Sequence, residues 1–166
     1  RLMLECDTLG SAAWQALSHP RAGAANVLLA HAEGEILDLE LTATAADCLY
    51  GDAGWLVHAN HFESLLLRGG DLGLVRSPST LARAARARRL LAAQLGRVTV
   101  ATFQAILRDH AYGHEAICRH PDPALPVEER TETRASLVMD LVDRRLHLAA
   151  GQPCRGAVRV FSLSAE

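Results

Sequence analysis

The chain has 166 residues, with 17 basic and 19 acidic side chains and a formal net charge of −2. This near-neutral balance argues against a nucleic-acid partner, and an apolar share of 49% provides enough hydrophobic surface for a core, which excludes general disorder. No apolar run approaches the ~18 residues of a membrane helix, so we expect a soluble, cytoplasmic protein without a membrane partner. A disulfide scaffold is also excluded, because four cysteines without a C-x-x-C pair are too sparse for one, and free thiols are expected at Cys6, Cys48, Cys118 and Cys154.

The first predicted elements are a short amphipathic helix and a hairpin. Asp7 or Thr8 can cap the helix, and Pro20 stops it. The runs 26–32 and 35–41 then flank Glu33-Gly34, a dipeptide suited to a tight reversal between two strands. The second run alternates between apolar and polar residues, which predicts one face toward a core and one toward polar groups.

Two more strands are predicted at 47–50 and 55–60, which would extend the hairpin into an antiparallel meander. A long surface connection with three glycines follows over 63–79. A helix is predicted to begin at Ser77 or Ser79 and to end at Gly96, with its arginines on a solvated face. Thr99 caps a further helix that is predicted to end near 110–113.

The last part of the chain is predicted to be a loop followed by strands. Prolines make a helix unfavourable in the first half of 120–133. Strand patterns then occupy 136–142, 145–149 and 158–163, with turn residues between them. The order of strands, helices and strands predicts an α+β fold class with antiparallel sheets, in a single domain over 1–166.

Histidines and cysteines are candidates for a metal site, but their spacing is not diagnostic. His58 and His61 would point to opposite faces of a strand, while His110 and His114 are four residues apart and Cys118 is close to His120. No H-E-x-x-H motif is present. We therefore predict no metal and no cofactor, and a zinc protein remains a weaker alternative.

A nucleophile is equally hard to assign from the residues alone. No G-x-S-x-G motif supports an α/β-type serine hydrolase. Arg119 and His120 flank Cys118, a setting that can lower the pKa of a thiol, although a buried structural cysteine is the commoner case. Asn60 ends the predicted strand at 55–60, where its amide N–H could stabilise an oxyanion. The alternative, which spacing alone favours, is a turn-forming asparagine.

Several motifs together resemble a known family. They are L-V-H-A-N-H-F at 56–62, S-P-S at 77–79, I-C-R-H-P-D-P at 117–123, A-S-L-V-M-D-L at 135–141 and G-Q-P-C at 151–154. In this order and combination they resemble the penicillin acyltransferase family, the isopenicillin-N acyltransferase-like group of cysteine N-terminal-nucleophile hydrolases. The resemblance runs from about Leu4 to Val160, which is nearly the whole chain.

The resemblance implies a four-layer αββα sandwich of antiparallel sheets, the Ntn-hydrolase fold. In that family a precursor cuts itself so that a cysteine becomes a chain terminus, and its α-amino group serves as the base for its own thiol. The thiol attacks the amide or thioester carbonyl of a small molecule such as an acyl amide or an acyl-CoA. By motif, Asn60 matches the asparagine of the oxyanion hole, and Arg119 matches an arginine that organises the site electrostatically.

The chain departs from the family pattern at the nucleophile. Residue 1 is Arg, and Cys6 lies in the approach to the first predicted helix. We therefore expect the C-terminal portion of such an enzyme, with incomplete sheets and no activity of its own. The nucleophilic cysteine would lie on a missing N-terminal half or on a companion subunit. The alternative is a non-catalytic binding or structural domain on the same scaffold.

Overall fold

The computed structural model describes residues 2–51 and 53–163, and Arg1, where the sequence offers no nucleophile, lies outside them. Contacts along the chain divide it into two units, residues 1–80 and 81–166. Each unit is described by itself, and a single domain over 1–166 remains a prediction. Both units combine helices with a three-stranded antiparallel sheet, which confirms the predicted α+β class.

Helix α1 of the first unit spans Leu9–Ser18 and follows a 3-10 turn at Leu2–Glu5. Thr8 is its N-cap: the Thr8 hydroxyl accepts from the backbone N–H of Ser11, and the Ser11 hydroxyl accepts from that of Thr8. This reciprocal pair satisfies two of the N–H groups that a helix start leaves open. The helix ends before His19, whose backbone is extended, so the predicted helix and its limits are confirmed.

The sheet of the first unit has the order β1-β2-β3, formed by Ala25–Ala30, Ile36–Leu41 and Ala46–Tyr50. Gly34 has a φ of +110° in the turn of the first hairpin, a conformation that glycine adopts without strain. Leu39 and Leu41 of β2 are buried together with Ala16 of α1, so the helix packs on one face of this sheet. The predicted hairpin and the third strand are confirmed.

The predicted fourth strand at 55–60 is wrong, because this segment is irregular. The backbone donors that follow it go to side chains, which replace the neighbouring strand that a ladder would need. Asn60 N donates to Thr80 Oγ1, Phe62 N donates to Asp71 Oδ2, and Ser64 N donates to Glu40 Oε2. An apolar run followed by polar residues thus forms a loop that polar side chains hold in place.

The predicted surface connection at 63–79 contains helical turns that the sequence signals did not show. A 3-10 turn spans Arg68–Gly70, and α2 spans Leu72–Arg76 with Asp71 as its N-cap. Helix α3 begins at Ser79, one of the two predicted starts, and ends at Ala92, four residues before the predicted end at Gly96. A solvated arginine face on α3 is only partly correct, because Arg86 forms a bidentate ion pair with Asp109.

In the second unit, Thr99 caps α4, which spans Val100–Leu107. Irregular chain with two 3-10 turns, at Gly113–Glu115 and Val127–Glu129, connects α4 to a sheet of order β4-β5-β6. Its three antiparallel strands are Ala135–Asp140, Arg145–Ala150 and Val158–Ser162. The predicted cap and all three strands are confirmed, whereas α4 ends earlier than predicted.

The turn between β5 and β6 approaches its own strand closely. The backbone N–H of Gly156 donates to Gln152 O, and a Cβ atom added at Gly156 would lie 2.5 Å from the carbonyl oxygen of Ala150. Only glycine fits this approach without a shift of the backbone. Among the helices of residues 2–51 and 53–163, none combines the length and the apolar character that a bilayer crossing requires.

Candidate functional site

Asn60 is exposed and lines an open cleft of about 440 Å³ within the first unit. The cleft walls come from the β1 end, from the segment around Asn60 and from the start of α2, and they include Asn26, His58, His61 and Asp71. A concave site of this volume with several converging polar groups is typical of small-molecule binding. The structure thus places the predicted oxyanion donor on the wall of a cleft.

A single buried hydroxyl positions Asn60 and its neighbour. Thr80 is 0% exposed, and its Oγ1 accepts from the backbone N–H of Asn60 at 2.7 Å. The same oxygen lies 3.0 Å from Nδ1 of His61, whose side chain is buried. Because one atom bonds both residues, the backbone that carries the Asn60 side chain is held at a fixed point of the cleft.

Asp71 holds the next residue along the chain. Its carboxylate accepts from Phe62 N at 2.7 Å and from Leu74 N at 2.9 Å. Burial would raise the pKa of the Asp71 carboxyl, but these N–H donors and that of Gly73 outweigh it, and the pKa is lowered. The charged form of Asp71 therefore stabilises both the cleft segment and the start of α2.

Asn26 and His58 of the cleft wall contact a buried pair of carboxyl groups on β2. Asp38 and Glu40 are both 0% exposed, although they lie on the face that the sequence predicted to meet polar groups. Both carboxylate oxygens of Glu40 accept hydrogen bonds. Oε1 accepts from Glu63 N and, at 2.6 Å, from His58 Nε2, and Oε2 accepts from Ser64 N. Glu40 thus anchors the chain on both sides of Asn60.

Asp38 is less completely satisfied than Glu40. Its Oδ1 accepts from Asn26 Nδ2 at 2.6 Å, whereas within the described residues the buried Oδ2 has no hydrogen-bond partner and lies 4.0 Å from His58 Nε2. Burial raises the pKa of the Asp38 carboxyl, and the hydrogen bond from Asn26 and the charge of His58 offset this only in part. Sequence reasoning did not single out these residues, although the apolar–acidic alternation of β2 was the signal for them.

Arg119 lies in the second unit, on the irregular chain after α4. Its backbone N–H donates to Thr133 Oγ1, and its Nη1 donates to Thr131 Oγ1 at 3.0 Å. Arg83 of α3 is close by: burial lowers the pKa of Arg83, and the positive charge of Arg119 lowers it further, with Glu115 opposing. The second unit therefore gathers two guanidinium groups near one carboxylate.

Asn60 and Arg119 belong to different units, so their convergence in one reaction site remains a prediction. A reactive Cys118 is not supported. Cys118 is 0% exposed, and burial raises the pKa of its thiol, which opposes the thiolate that a nucleophile requires. The flanking Arg119 and His120 do not reverse this effect.

The side chains that could bind a metal in the structure are not grouped as the sequence spacing suggested. His58 and His61 stack, with ring centroids 6.3 Å apart, because their segment is not a strand. Within residues 2–51 and 53–163, two groups of side chains bring three or more ligand atoms together. One is exposed on the β1–β2 turn, at His31, Glu33 and Glu35, where solvated side chains are ordinary. The other joins His110, Cys118, His120 and Cys154 of the second unit.

The chain was compared with protein-family models and with curated proteins. None of the curated proteins matches it. A family model described as acyl-coenzyme A:6-aminopenicillanic acid acyl-transferase matches residues 1–155. This match covers most of the 166 residues and includes the segments that carry Asn60 and Arg119. The chain therefore belongs to the acyl-coenzyme A:6-aminopenicillanic acid acyl-transferase family.

Proposed function

We propose that this chain forms the oxyanion side of an acyl-transferring enzyme that acts on amide or thioester bonds. The attacking thiol would be the terminal cysteine of a segment or companion subunit outside these residues. An acyl-CoA or a penicillin-like amide fits the family as substrate. The αββα Ntn-hydrolase fold, autoproteolytic maturation and a cytoplasmic location belong to the same proposal.

The observation that carries the proposal is the position of Asn60. It lines the cleft of the first unit, and its backbone is bound to the buried hydroxyl of Thr80. An oxyanion donor must be fixed before the reaction, because reorganisation during the chemical step removes its advantage. The fixed backbone of Asn60 places its side-chain amide on the wall of an open cleft, which supports this role.

The proposed reaction needs a donor at one oxygen atom. The thiolate adds to the acyl carbonyl carbon, and the carbonyl π electrons move to oxygen, where the Asn60 side-chain N–H stabilises the negative charge. When the intermediate collapses, the bond to the leaving amine or CoA thiol breaks, and that group takes the proton held by the terminal α-amino group. An amine or water then accepts the acyl group from the thioester.

The proposed role of Arg119 is electrostatic. A guanidinium keeps its charge at every relevant pH and presents several N–H donors, which suits recognition of carboxylate or phosphate groups. Thr131 and Thr133 fix its side chain and its backbone. Such a group would orient an anionic substrate. Its position relative to Asn60 is part of the proposal.

The test is reconstitution with an upstream segment that begins at a cysteine, with release of acyl product as the readout. We expect co-expression to give activity, and Asn60→Ala to lower kcat by ~10²–10³, the usual effect of removing one oxyanion donor. Arg119→Ala is compared with Arg159→Ala, a change at an exposed arginine of β6. Full activity of Asn60→Ala would contradict the assignment. A folded but inactive complex with unaltered Asn60 would favour a non-catalytic domain.

A further inference from the structure

Four side chains of the second unit converge on one point, although they come from three separate stretches of chain. His110 follows α4, Cys118 and His120 lie on the next loop, and Cys154 lies in the turn between β5 and β6. Their ligand atoms all lie within 4.8 Å of one another. None of these four residues takes part in the proposed acyl transfer.

Hydrogen bonding alone does not account for this geometry. His120 Nε2 lies 3.2 Å from His110 Nε2, 3.2 Å from Cys154 Sγ and 3.8 Å from Cys118 Sγ. A neutral imidazole nitrogen carries either one proton or one lone pair, so it cannot serve three partners as ordinary hydrogen bonds. An ion at the centre of the group would give each ligand atom its own bond.

The spacing fits a tetrahedral site. Zinc bonds of about 2.0–2.1 Å to nitrogen and about 2.3 Å to sulfur set neighbouring ligand atoms roughly 3.3–3.8 Å apart. The separations of His120 Nε2 from the other three ligand atoms, 3.2, 3.2 and 3.8 Å, lie at or close to this range. Two thiolates with two imidazoles form a donor set typical of zinc, and four protein ligands are typical of a structural site.

The surrounding backbone holds the ligands in place without the ion. Cys118 N donates to Asp109 O at 2.9 Å, which fixes Cys118 beside His110. Arg108 Nε donates to Pro153 O at 2.9 Å, which fixes the residue before Cys154. Asp109 is itself held by the ion pair with Arg86. These bonds therefore fix the distances between three separate loops.

Burial and charge are compatible with metal binding. Cys118 is fully buried, whereas His110 and Cys154 are exposed, which leaves an entry path for the ion. Two thiolates would neutralise the divalent ion beside Arg155.

We propose that His110 Nε2, Cys118 Sγ, His120 Nε2 and Cys154 Sγ bind a structural zinc ion that fixes the loop carrying Arg119. On binding, the two thiols release two protons to solvent, and four bonds to zinc form without any change of oxidation state. The site needs no assumption about the acyl-transfer reaction. The site is linked to that reaction only through Arg119, which lies in the sequence between the ligands Cys118 and His120.

The first measurement is zinc content by mass spectrometry of the whole protein, purified under reducing conditions without chelators. We expect close to one zinc per chain. A protein without zinc that also fails to bind added zinc would overturn the proposal. So would a disulfide between Cys118 and Cys154 in peptides from protein kept reduced throughout.

The second measurement compares zinc affinity between variants, by competition with a chromogenic chelator. Cys154→Ser and His110→Gln change exposed ligands, so the fold should survive, which circular dichroism checks. Each is expected to weaken zinc binding by at least ~10-fold, because even loss of an outer-shell partner commonly has that effect. Cys6→Ser and His19→Gln, two changes in the first unit, are the controls and should bind like the unaltered chain. Equal affinity of all five proteins would overturn the proposal.

A third readout identifies the ligand atoms directly. Cobalt replaces zinc in tetrahedral sites, and bound thiolates then give thiolate-to-metal charge-transfer absorption. The unaltered chain and Cys6→Ser should show these bands, and Cys154→Ser should show a weaker band from Cys118 alone. A cobalt spectrum without thiolate bands in the unaltered chain would overturn the ligand set.

Discussion

At the scale of single residues, the Thr80 hydroxyl holds two residues that line the cleft. It is fully buried and serves both Asn60 N and His61 Nδ1. Valine has nearly the same shape without the hydroxyl, so Thr80→Val would leave two groups without a partner. We expect the free energy of unfolding to fall by about 1–3 kcal/mol, the usual penalty for a buried unsatisfied group. Urea unfolding measures this loss.

The control for this prediction is Thr44→Val, which makes the same change at an exposed threonine of the β2–β3 turn. We expect it to alter the free energy of unfolding by less than about 0.5 kcal/mol. Equal losses in the two variants would show that the hydroxyl of Thr80 has no special role. In that case Asn60 would be positioned by other contacts.

Asp38 and Asp71 should give stability a pH dependence of opposite sign. Asp38 faces Asn26, His58, Glu40 and Glu63, and its pKa is raised. The native state therefore holds this proton more tightly, and stability falls as pH rises from about 4 through the raised native pKa. Asp38→Asn should raise the free energy of unfolding at neutral pH, with a gain that shrinks as pH falls.

The pKa of Asp71 is lowered, so its contribution is present above the ordinary carboxyl pKa and is lost as pH falls through the native value. Asp71→Asn keeps a side chain able to cap α2, but it should lower the free energy of unfolding at neutral pH. This deficit should shrink in acid. Urea unfolding of both variants across a pH series measures the two effects. The same sign for both would contradict the assigned environments.

At the scale of elements, local sequence patterns were sufficient to predict helix caps and hairpins, because the groups that pair in them are close in sequence. Asp7 or Thr8 was predicted to cap the first helix and Thr99 the last one, and Thr8 and Thr99 accept the expected backbone N–H. The hairpins were predictable because turn residues separate two strand patterns that pair directly. The ends of α3 and α4 were placed less accurately, because helix ends depend on contacts outside the helix.

The segment 55–60 shows where such signals fail. Its apolar start, Trp55-Leu56-Val57, is typical of a strand, but a strand also needs a neighbour to pair with. The backbone from residue 60 to residue 64 is instead held by Glu40, Asp71 and Thr80, which lie 9 to 24 residues from the N–H groups they bind. No local pattern reveals such distant partners. The position of Asn60 in a cleft was therefore predictable from the family motif but not from secondary structure.

Glu40 connects β2 to this irregular segment, so its removal should affect an element as a whole. Glu40→Gln replaces a carboxylate that accepts from His58, Glu63 and Ser64 by an amide with one acceptor oxygen. We expect a loss of about 1.5–3 kcal/mol in the free energy of unfolding, the range for hydrogen bonds to charged groups. Amide exchange at Glu63 and Ser64 should also become faster.

The matched control is Glu35→Gln, at an exposed glutamate next to the hairpin turn. It should change the free energy of unfolding by no more than about 0.5 kcal/mol and leave exchange at residues 63 and 64 unaltered. Slow exchange that persists in Glu40→Gln would show that the segment is held without this carboxylate.

At the scale of the whole molecule, the sequence indicated the fold class and the family, but not the groups that form by long-range folding. Cys154 is 44 residues from His110, and the spacing of the four proposed ligands matches no motif that sequence reasoning tested. The alternating pattern of β2 placed Asp38 and Glu40 on a polar face, but the sequence did not indicate that both side chains are completely buried. Each of these features depends on chain segments that meet only in the folded state.

The close approach at Gly156 has a consequence for how the sequence can vary. Loops ordinarily accept substitutions more readily than strands do. This turn is an exception, because any side chain at position 156 would push against the Ala150 carbonyl oxygen and displace the backbone that presents Cys154. A substitution at this position should therefore disturb the fold as one in a protein interior does, even though the neighbouring Arg155 and Ala157 are exposed.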